Sequence, residues 1–148
     1  MEVNSDVKNI SAREKSISFF LIPKQEVVFI NNSATMRQAI EKMEHHGYSA
    51  IPVIDEKGRY VKTLTEGDFL RRIKNRTGVI VEDMNSIKVA DIECRNKNKP
   101  VSISSSMGDM LEIALMQNFA PVVDDEKIFI GIVRRREIIE FFVNRIEE

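Results

Sequence analysis

Two short apolar runs, each centred on a Pro-Val pair, give the chain two similar halves. The pairs are Pro52-Val53 and Pro121-Val122, and a second run rich in β-branched and aromatic residues follows each of them. Runs of this length, bounded by polar turns, are typical of β-strands. Ahead of each pair, apolar residues recur at the spacing of one helix face. They are Met36, Ala39, Ile40 and Met43 in the first half, and Met107, Met110, Leu111, Ala114 and Leu115 in the second.

The other elements follow the same order in both halves. Short strands are predicted at residues 27–30 and 101–103, and closing helices at residues 66–73 and 135–146. Each half therefore reads strand, helix, strand, strand, helix. One such unit cannot cover both faces of its sheet, whereas two units packed face to face can. The sequence predicts an α+β fold built from two tandem β-α-β-β-α repeats.

Polar residues and glycine mark the ends of these elements. The side chains of residues 31–33 and 104–106 suit helix N-caps. Gly47 is a favourable end for the first helix, and Asn118 stands at the corresponding place in the second half. Residues 55–58, with the sequence Asp-Glu-Lys-Gly, predict a hairpin loop.

Two segments lie outside the repeats. Residues 1–7 are polar and are predicted to be disordered, and residues 11–20 predict a leading helix because Ser11 and Glu14 have the spacing of a capping box. A polar connector with a short amphipathic piece joins the halves. The predicted organisation is a tail and leading helix at 1–20, repeat 1 at 21–75, a connector at 76–99 and repeat 2 at 100–148.

Charge and composition exclude several classes of protein. The formal net charge is −1, without the basic excess that a nucleic-acid binder usually carries. No apolar run approaches the roughly 18 residues of a membrane span, and the first residues lack the pattern of a signal peptide. The single cysteine, Cys94, cannot form an intramolecular disulfide, and its polar neighbours predict an unremarkable surface thiol. We expect a cytoplasmic protein without a nucleic-acid or membrane partner.

The sequence contains few features that are typical of an enzyme. It contains no Gly-x-Ser-x-Gly elbow, P-loop or Gly-x-Gly-x-x-Gly run. His45 and His46 are adjacent, so they do not project from one helix face, and no cysteine or third histidine completes a metal site. We expect neither catalytic residues nor a bound metal.

The two repeats resemble the cystathionine-β-synthase (CBS) domain family. Residues 47–53 read Gly-Tyr-Ser-Ala-Ile-Pro-Val, and residues 64–69 read Leu-Thr-Glu-Gly-Asp-Phe. The family pattern is similar: a glycine-led run ending in Pro-Val, then a run with Ser/Thr-x-x-Asp. Two tandem copies form the family's pseudo-twofold unit, the Bateman module. This resemblance implies a sensor of adenosine-containing ligands that bind in a groove between the repeats.

The second copy departs from the family pattern where ribose is usually bound. Arg134 stands in place of the Ser/Thr and Glu137 in place of the Asp, while in the first copy Lys62 replaces a glycine that Gly131 keeps in the second. A closer resemblance is to small stand-alone CBS proteins of Gram-positive bacteria that bind cyclic di-AMP. The features it shares with them are residues 20–23, 47–53 and 131–136.

Three consecutive arginines at the predicted start of the last helix are candidate phosphate ligands. Cations are unfavourable beside the partial positive charge of a helix N-terminus, so Arg134, Arg135 and Arg136 predict an anion there. A phosphate can accept from both the backbone N–H groups and the arginine side chains. The alternative is that these arginines are solvated, or are paired with Glu137 and Glu140 at helical spacing.

Thr65 and Asp68 also have two interpretations. Thr-x-x-Asp before a helix has the form of a capping box, which explains both residues without a ligand. The family resemblance implies instead that Thr65 contacts phosphate and that Asp68 accepts from ribose hydroxyls. The two interpretations are compatible, because a helix cap can also face a groove.

The resemblance assigns the base to the segment of Tyr48, Ser49 and Ala50. An aromatic ring at Tyr48 can stack on a purine, although aromatic side chains are often simply buried in the core. This segment is expected to share a groove with residues 134–137, edged by backbone groups near Ile22 and Val28. A mirror groove would combine Phe119 and Ala120 with Thr65 and Asp68.

Taken together, these features predict a regulatory protein that binds an adenine nucleotide. Cyclic di-AMP is the leading candidate for that nucleotide. A sensor of AMP, ADP or ATP with the same fold and a ligand-free oligomerisation or adaptor module remain open as alternatives. No cofactor is expected apart from the nucleotide ligand. The resemblance implies a homodimer whose output is an effector protein, through a change in population between two conformations.

Overall fold

The computed structural model describes residues 16–74, 83–95 and 98–146 of the chain. Within these ranges the strands are β1 (Ile22–Pro23), β2 (Ile30–Asn31), β3 (Ala50–Ile54), β4 (Tyr60–Thr65), β5 (Val101–Ser102), β6 (Phe119–Val123) and β7 (Phe129–Arg134). The α-helices are α1 (Met36–His46), α2 (Glu66–Lys74), α3 (Leu111–Met116) and α4 (Arg135–Ile146). Turns of 3₁₀ helix lie at Ile17–Phe19, Lys24–Glu26, Asp83–Asn85, Val89–Asp91 and Met107–Met110.

The described residues form two units. The first-repeat unit comprises residues 28–98, and the second-repeat unit comprises residues 99–146 together with residues 16–27 from the start of the chain. Each unit contains one copy of the strand, helix, strand, strand, helix order. The predicted α+β fold with two β-α-β-β-α repeats is confirmed.

The first-repeat unit has a three-stranded sheet with the order β2-β3-β4. β2 is parallel to β3, and α1 makes the crossover between them. β3 and β4 form the predicted hairpin, whose loop is held by Asp55: its carboxylate accepts from the backbone N–H groups of Lys57 and Arg59, both at 2.9 Å. The sheet and helices enclose a buried apolar cluster of Ile30, Met36, Ala39, Met43, Ile51, Val53, Leu64, Phe69, Ile87, Val89 and Ile92.

The second-repeat unit has a four-stranded sheet with the order β1-β7-β6-β5. Its extra edge strand, β1, comes from the start of the chain and pairs antiparallel with β7, with Pro23 opposite Gly131. A Cβ atom at Gly131 would lie 2.1 Å from the carbonyl oxygen of Ile22, so this close pairing requires glycine. The core of this unit is a second cluster of Ile17, Met107, Met110, Ala114, Ala120, Val122, Val133, Ile138 and Phe141.

The start of α1 differs from the prediction. Its N-cap is Thr35, whose hydroxyl accepts from the backbone N–H of Gln38 at 3.1 Å, while the Gln38 side chain accepts from the N–H of Thr35. The prediction of an N-cap within residues 31–33 is wrong, because Asn31 instead accepts from both the N–H and the hydroxyl of Ser33 in a local turn. The predicted end is confirmed: Gly47 adopts φ 69° in the left-handed region.

The second copy of this helix starts within the predicted range. Ser106 is its N-cap residue, and both its N–H and its hydroxyl donate to the carboxylate of Asp109. The first turn, Met107–Met110, is 3₁₀, and the α-helical part is only the six residues of α3. The helix ends at Gln117 rather than at Asn118.

Several elements are shorter than the sequence predicts. The strands expected at residues 27–30 and 101–103 are the two-residue strands β2 and β5. In residues 16–20, the described part of the leading segment, there is one 3₁₀ turn, Ile17–Phe19, which Ser16 caps by accepting from the N–H of Ser18 at 3.1 Å. Ser11 and Glu14, which suggested a capping box, lie outside the described residues.

Candidate functional site

The three candidate arginines have three different environments. Arg134 ends β7, and its backbone N–H donates to Glu137 Oε2 at 3.1 Å. Its side chain is exposed and makes no hydrogen bond or ion pair with the residues that the structure describes. Arg134 is therefore the cation of this cluster that is left available for an anion.

Arg135 binds the end of another helix. Its Nε donates to the carbonyl oxygen of Ala114 at 2.6 Å, and its Nη2 lies 3.5 Å from the carbonyl oxygen of Leu115. The last carbonyl groups of a helix have no partner within that helix and carry partial negative charge. Arg135 satisfies two of these groups in α3, which is a structural contact within the second-repeat unit.

Arg136 forms an exposed ion pair along α4. Its Nε lies 2.9 Å from Glu140 Oε1, and the Arg136 side chain is 85% exposed. The hydrogen bond and charge of Glu140 raise the pKa of the Arg136 guanidinium above its usual value. For this residue the interpretation as an i,i+4 pair is confirmed.

Thr65 and Asp68 form the capping box that their spacing indicated. The backbone N–H and the hydroxyl of Thr65 donate to Asp68 Oδ2 at 2.9 and 3.0 Å, and the N–H of Asp68 lies 3.3 Å from Thr65 Oγ1. Asp68 Oδ1 accepts from Arg71 Nη2 and from the backbone N–H of Arg95, the latter at 3.2 Å. We call Thr65, Asp68, Arg71 and the N–H of Arg95 the Asp68 cluster.

Tyr48 lies on the surface of the first-repeat unit. Its side chain is 43% exposed, and its ring stacks on His46 with an interplanar angle of 9° and a centroid separation of 5.7 Å. The alternative that Tyr48 is buried in the core is wrong. One face of the ring contacts His46, so a base would have to stack on the other.

The neighbouring candidates are placed by the sheets. Ser49 accepts from the N–H of Glu66 at 3.1 Å through its carbonyl oxygen, and Ala50 is paired with Thr65, so this segment adjoins the start of α2. In the second-repeat unit Phe119 is likewise paired with Arg134 at the start of α4. Ile22 is paired with Ile132 in that same unit, whereas Val28 belongs to the first-repeat unit.

Cys94 is less exposed than its neighbours in the sequence suggested. It is partly buried, its Sγ lies 3.3 Å from the carbonyl oxygen of Thr63, and burial raises the pKa of the thiol to about 11. The prediction of a surface position is wrong. A thiol with this pKa is largely protonated near neutral pH and is a poor nucleophile.

Neither the histidines nor the helices of the described residues add a metal site or a membrane span. His45 and His46 are both exposed, and no group of three His, Cys, Asp or Glu side chains in this part of the chain is placed to hold a metal ion. Among the same residues, no helix combines the length and apolar character needed to cross a membrane.

Sequence reasoning missed Arg71 and Arg95 as partners of Asp68. Arg71 follows Asp68 by three residues in a predicted helix, and that spacing alone could have indicated an ion pair. The bond from Arg95 joins residues 27 positions apart, so no local pattern could have indicated it.

The family follows from a direct match. A model of the CBS domain matches residues 18–75 and 89–144. The chain therefore belongs to the CBS domain family and carries two copies of the domain, as the resemblance predicted.

Two relatives share about a quarter of their aligned residues with this chain. An uncharacterized protein of Methanopyrus kandleri is 25% identical over 141 residues, which is 90% of the chain and 68% of the relative. The inosine-5'-monophosphate dehydrogenase of Methanocaldococcus jannaschii is 24% identical over 140 residues. The match covers 95% of the chain but only 26% of that enzyme, so it concerns a part of the enzyme alone.

Solved structures agree with the fold. CbpB in complex with cyclic di-AMP is similar with a TM-score of 0.80 and 17% identity, over 97% of this chain and 93% of that one. The Listeria monocytogenes CbpB complex with cyclic di-AMP has a TM-score of 0.76 and 20% identity, over 90% and 98%. CBSX2 in complex with AMP has a TM-score of 0.71 and 21% identity, over 91% and 100%. The resemblance to stand-alone CBS proteins is confirmed for the fold.

Proposed function

We propose that this chain is a regulatory protein that senses an adenine nucleotide, with cyclic di-AMP as the first candidate, and that it catalyses no reaction. The proposal is supported by the two CBS domains and by the similarity of the fold to proteins whose structures contain cyclic di-AMP or AMP. The ligand is the nucleotide itself, and the proposal needs no metal or other cofactor.

The assignment of a phosphate-binding position depends on the environment of Arg134. Its exposed guanidinium has no partner among the described residues and lies directly before the first turn of α4. The first N–H groups of a helix have no partner within the helix, and of these the N–H of Arg135 donates to the carbonyl oxygen of Asn118 at 3.0 Å. A phosphate at this point would accept from the guanidinium and from the helix N-terminus together. Arg135 and Arg136 are secondary candidates, because each already has a protein partner.

The ribose and the base are assigned to neighbouring candidates. Glu137 accepts one hydrogen bond from the part of the chain that the structure describes, from the N–H of Arg134, so its carboxylate has capacity for ribose hydroxyls. The exposed ring of Tyr48 is the candidate for stacking on adenine. Ser49, Ala50, Ile22 and Val28 are proposed to surround the base, and Thr65 and Asp68 form a second candidate position.

A ligand panel tests the proposal. Thermal unfolding with cyclic di-AMP, cyclic di-GMP, AMP, ADP, ATP and S-adenosylmethionine identifies any ligand, because a nucleotide at 100 times its Kd adds about 2.7 kcal/mol of stability. Calorimetric titration of R134A should then show affinity at least tenfold weaker. R37A is the matched control, since Arg37 is an exposed arginine already paired with Glu41 and is not among the candidate ligand residues. Unchanged affinity in R134A would remove the phosphate assignment.

A sensor of AMP, ADP or ATP is the second candidate function. It is supported by the similarity to CBSX2, whose structure contains AMP. The same panel separates the two, because a cyclic di-AMP sensor should respond to the dinucleotide at the lowest concentration. If no nucleotide changes the melting temperature, the remaining candidate is a ligand-free oligomerisation or adaptor module.

We further propose that the protein acts in the cytoplasm as a homodimer that signals to an effector protein. An apolar stripe along α4 supports self-association, because Ile139, Val143 and Ile146 are spaced on one helix face and are 48%, 46% and 83% exposed. Ligand binding would change the population of two conformations, and the effector would recognise one of them.

A further inference from the structure

We propose that Arg71 closes the Asp68 cluster to ligands, so that the chain binds one adenine nucleotide instead of two. This inference depends on the proposed function, because it concerns the second of the two positions where a nucleotide could be held. It identifies one side chain as the determinant of how many nucleotides bind.

The carboxylate of Asp68 has no acceptor capacity left. A carboxylate offers about four lone-pair positions. Thr65 N–H and Thr65 Oγ1 occupy Oδ2, and Arg71 Nη2 and the Arg95 N–H occupy Oδ1. The Asp68 side chain is also only 3% exposed. The hydroxyl groups of a ribose could bind Asp68 only by displacing one of these donors.

Arg71 is the donor that is hardest for a ribose to replace. Its bond to Asp68 joins two opposite charges, and a charge-assisted hydrogen bond of this kind is stronger than one from a neutral hydroxyl. The guanidinium also lies over the start of α2, since its Nη1 would be 3.3 Å from a Cβ atom at Gly67. A nucleotide phosphate approaching this helix end would therefore meet a side chain already in place.

The second repeat lacks this obstruction. Thr65, Asp68 and Arg71 stand at the first, fourth and seventh positions of a segment whose counterpart begins at Arg134. In that counterpart Glu137 replaces Asp68, and Glu140 replaces Arg71. Among the described residues Glu137 accepts one hydrogen bond, from the N–H of Arg134, and Glu140 is an acidic residue that pairs with Arg136. The two repeats thus have the same backbone arrangement but differ at the residue that would block nucleotide binding.

The number of nucleotides bound per chain tests the inference. Calorimetric titrations with cyclic di-AMP and with AMP should give one nucleotide per chain for the unaltered protein and two for R71A. R37A is the matched control, because Arg37 forms an exposed helical ion pair with Glu41 in the same unit and should leave the stoichiometry at one. The converse variant, E140R, should place a cation beside Glu137 and weaken binding at least tenfold.

The outcomes separate the two proposals. If the unaltered protein binds two nucleotides, or if a folded R71A or R71Q still binds one, the closure by Arg71 is overturned while the proposed function stands. Binding to R71A alone would support the closure and overturn the role of Arg134. If none of these proteins binds either nucleotide, the proposed function fails and the closure fails with it. Circular dichroism and a cooperative melt establish that each variant is folded.

Discussion

Lys62 Nζ donates a 2.6 Å hydrogen bond to the carbonyl oxygen of Ile92. The same ammonium group reaches the carbonyl oxygen of Val89 at 2.9 Å, at the 3₁₀ turn Val89–Asp91. Lys62 replaces a glycine of the family pattern, and its position corresponds to Gly131 in the second repeat. The replacement therefore has a structural cause: β4 holds its neighbouring segment through a side chain, whereas β7 pairs directly with β1.

Removing the ammonium group of Lys62 should loosen this segment. K62M keeps most of the aliphatic stem but leaves the carbonyl groups of Val89, Ala90 and Ile92 without their charged donor. Hydrogen bonds to a charged group contribute about 1.5–3 kcal/mol, so we expect a loss of about 2 kcal/mol in the free energy of unfolding by urea. K57M is the control, because the Lys57 side chain has no recorded partner among the described residues. Equal stability of the two variants would contradict this role.

Substitution of Gly131 in the second repeat should also destabilise the protein. Here the cause is an added atom that has no space, not a contact that is lost. A Cβ atom in G131A would lie 2.1 Å from the Ile22 carbonyl oxygen, which is backbone and cannot move alone. Forced overpacking costs about 1–3 kcal/mol, and we expect the upper part of this range together with loss of the β1–β7 pairing. G67A is the control, since that Cβ would lie 3.3 Å from the end of the long Arg71 side chain and 3.6 Å from Thr65 Oγ1, which is ordinary contact, and a helical alanine is favoured over glycine. Hydrogen exchange of the backbone amides of Ile22 and Ile132, which face each other across this pairing, measures it directly because Pro23 has no N–H. Protection of these amides unchanged from that in the unaltered protein would refute the predicted loss of pairing.

Local signals predicted the parts of the fold that local contacts determine. Helix α4 begins at Arg135 and ends at Ile146 as predicted, because its boundary follows a strand and its apolar spacing continues to the end. The N-cap of α1 was wrong because Asn31 and Thr35 are both suited to capping, and Asn31 is used in its own turn with Ser33. Strands β2 and β5 were overestimated because each pairs with a single neighbour over two residues.

The candidate site was predictable as a set of residues but not as a set of roles. The sequence indicated Arg134, Arg135 and Arg136 together, and nothing local distinguishes them. What separates Arg135 is the carbonyl group of Ala114, 21 residues earlier, which reaches it only in the folded unit. The Thr65–Asp68 capping box was predictable because both partners lie within one helical turn.

The different roles of Arg135 and Arg136 predict different effects on stability. R135A leaves the carbonyl groups at the end of α3 without their donor, and we expect a loss of about 1.5 kcal/mol, or a decrease of roughly 3–6 °C in the melting temperature. R136A should leave the melting temperature unchanged within error, because the pair it breaks is exposed. The melting curves of the two variants test these roles. A larger decrease in melting temperature for R136A than for R135A would contradict the structural role of Arg135.

The apolar stripe on α4 predicts how the protein self-associates. V143E places a charge at the centre of the stripe formed by Ile139, Val143 and Ile146. If this stripe is the dimer interface, light scattering should change from twice the 17.0 kDa chain mass to that of one chain. N144E is the control, because Asn144 is exposed but lies outside the stripe. A V143E protein that retains the mass of a dimer would place the interface elsewhere.

Cys94 predicts a dependence on pH in the alkaline range. Burial raises the pKa of its thiol from the ordinary value of 9.0 to about 11, so the folded chain holds the proton more tightly than the unfolded chain. The contribution of this group to stability is therefore complete below pH 9 and is lost as the pH rises to 11. C94A should lack this component, so the difference in unfolding free energy between C94A and the unaltered protein should change between pH 9 and 11.

Alkylation of the thiol checks the same shift by a direct chemical measurement. The thiolate is the reacting species, and a pKa two units higher leaves about a hundredfold less thiolate at pH 8. Iodoacetamide should therefore modify Cys94 about a hundred times more slowly in the folded protein than in the urea-unfolded chain. The rate should rise tenfold per pH unit up to about pH 11, because it follows deprotonation. A rate in the folded protein that levels off near pH 9 would show an unshifted thiol, and would mean that the contact with Thr63 does not keep Cys94 from solvent.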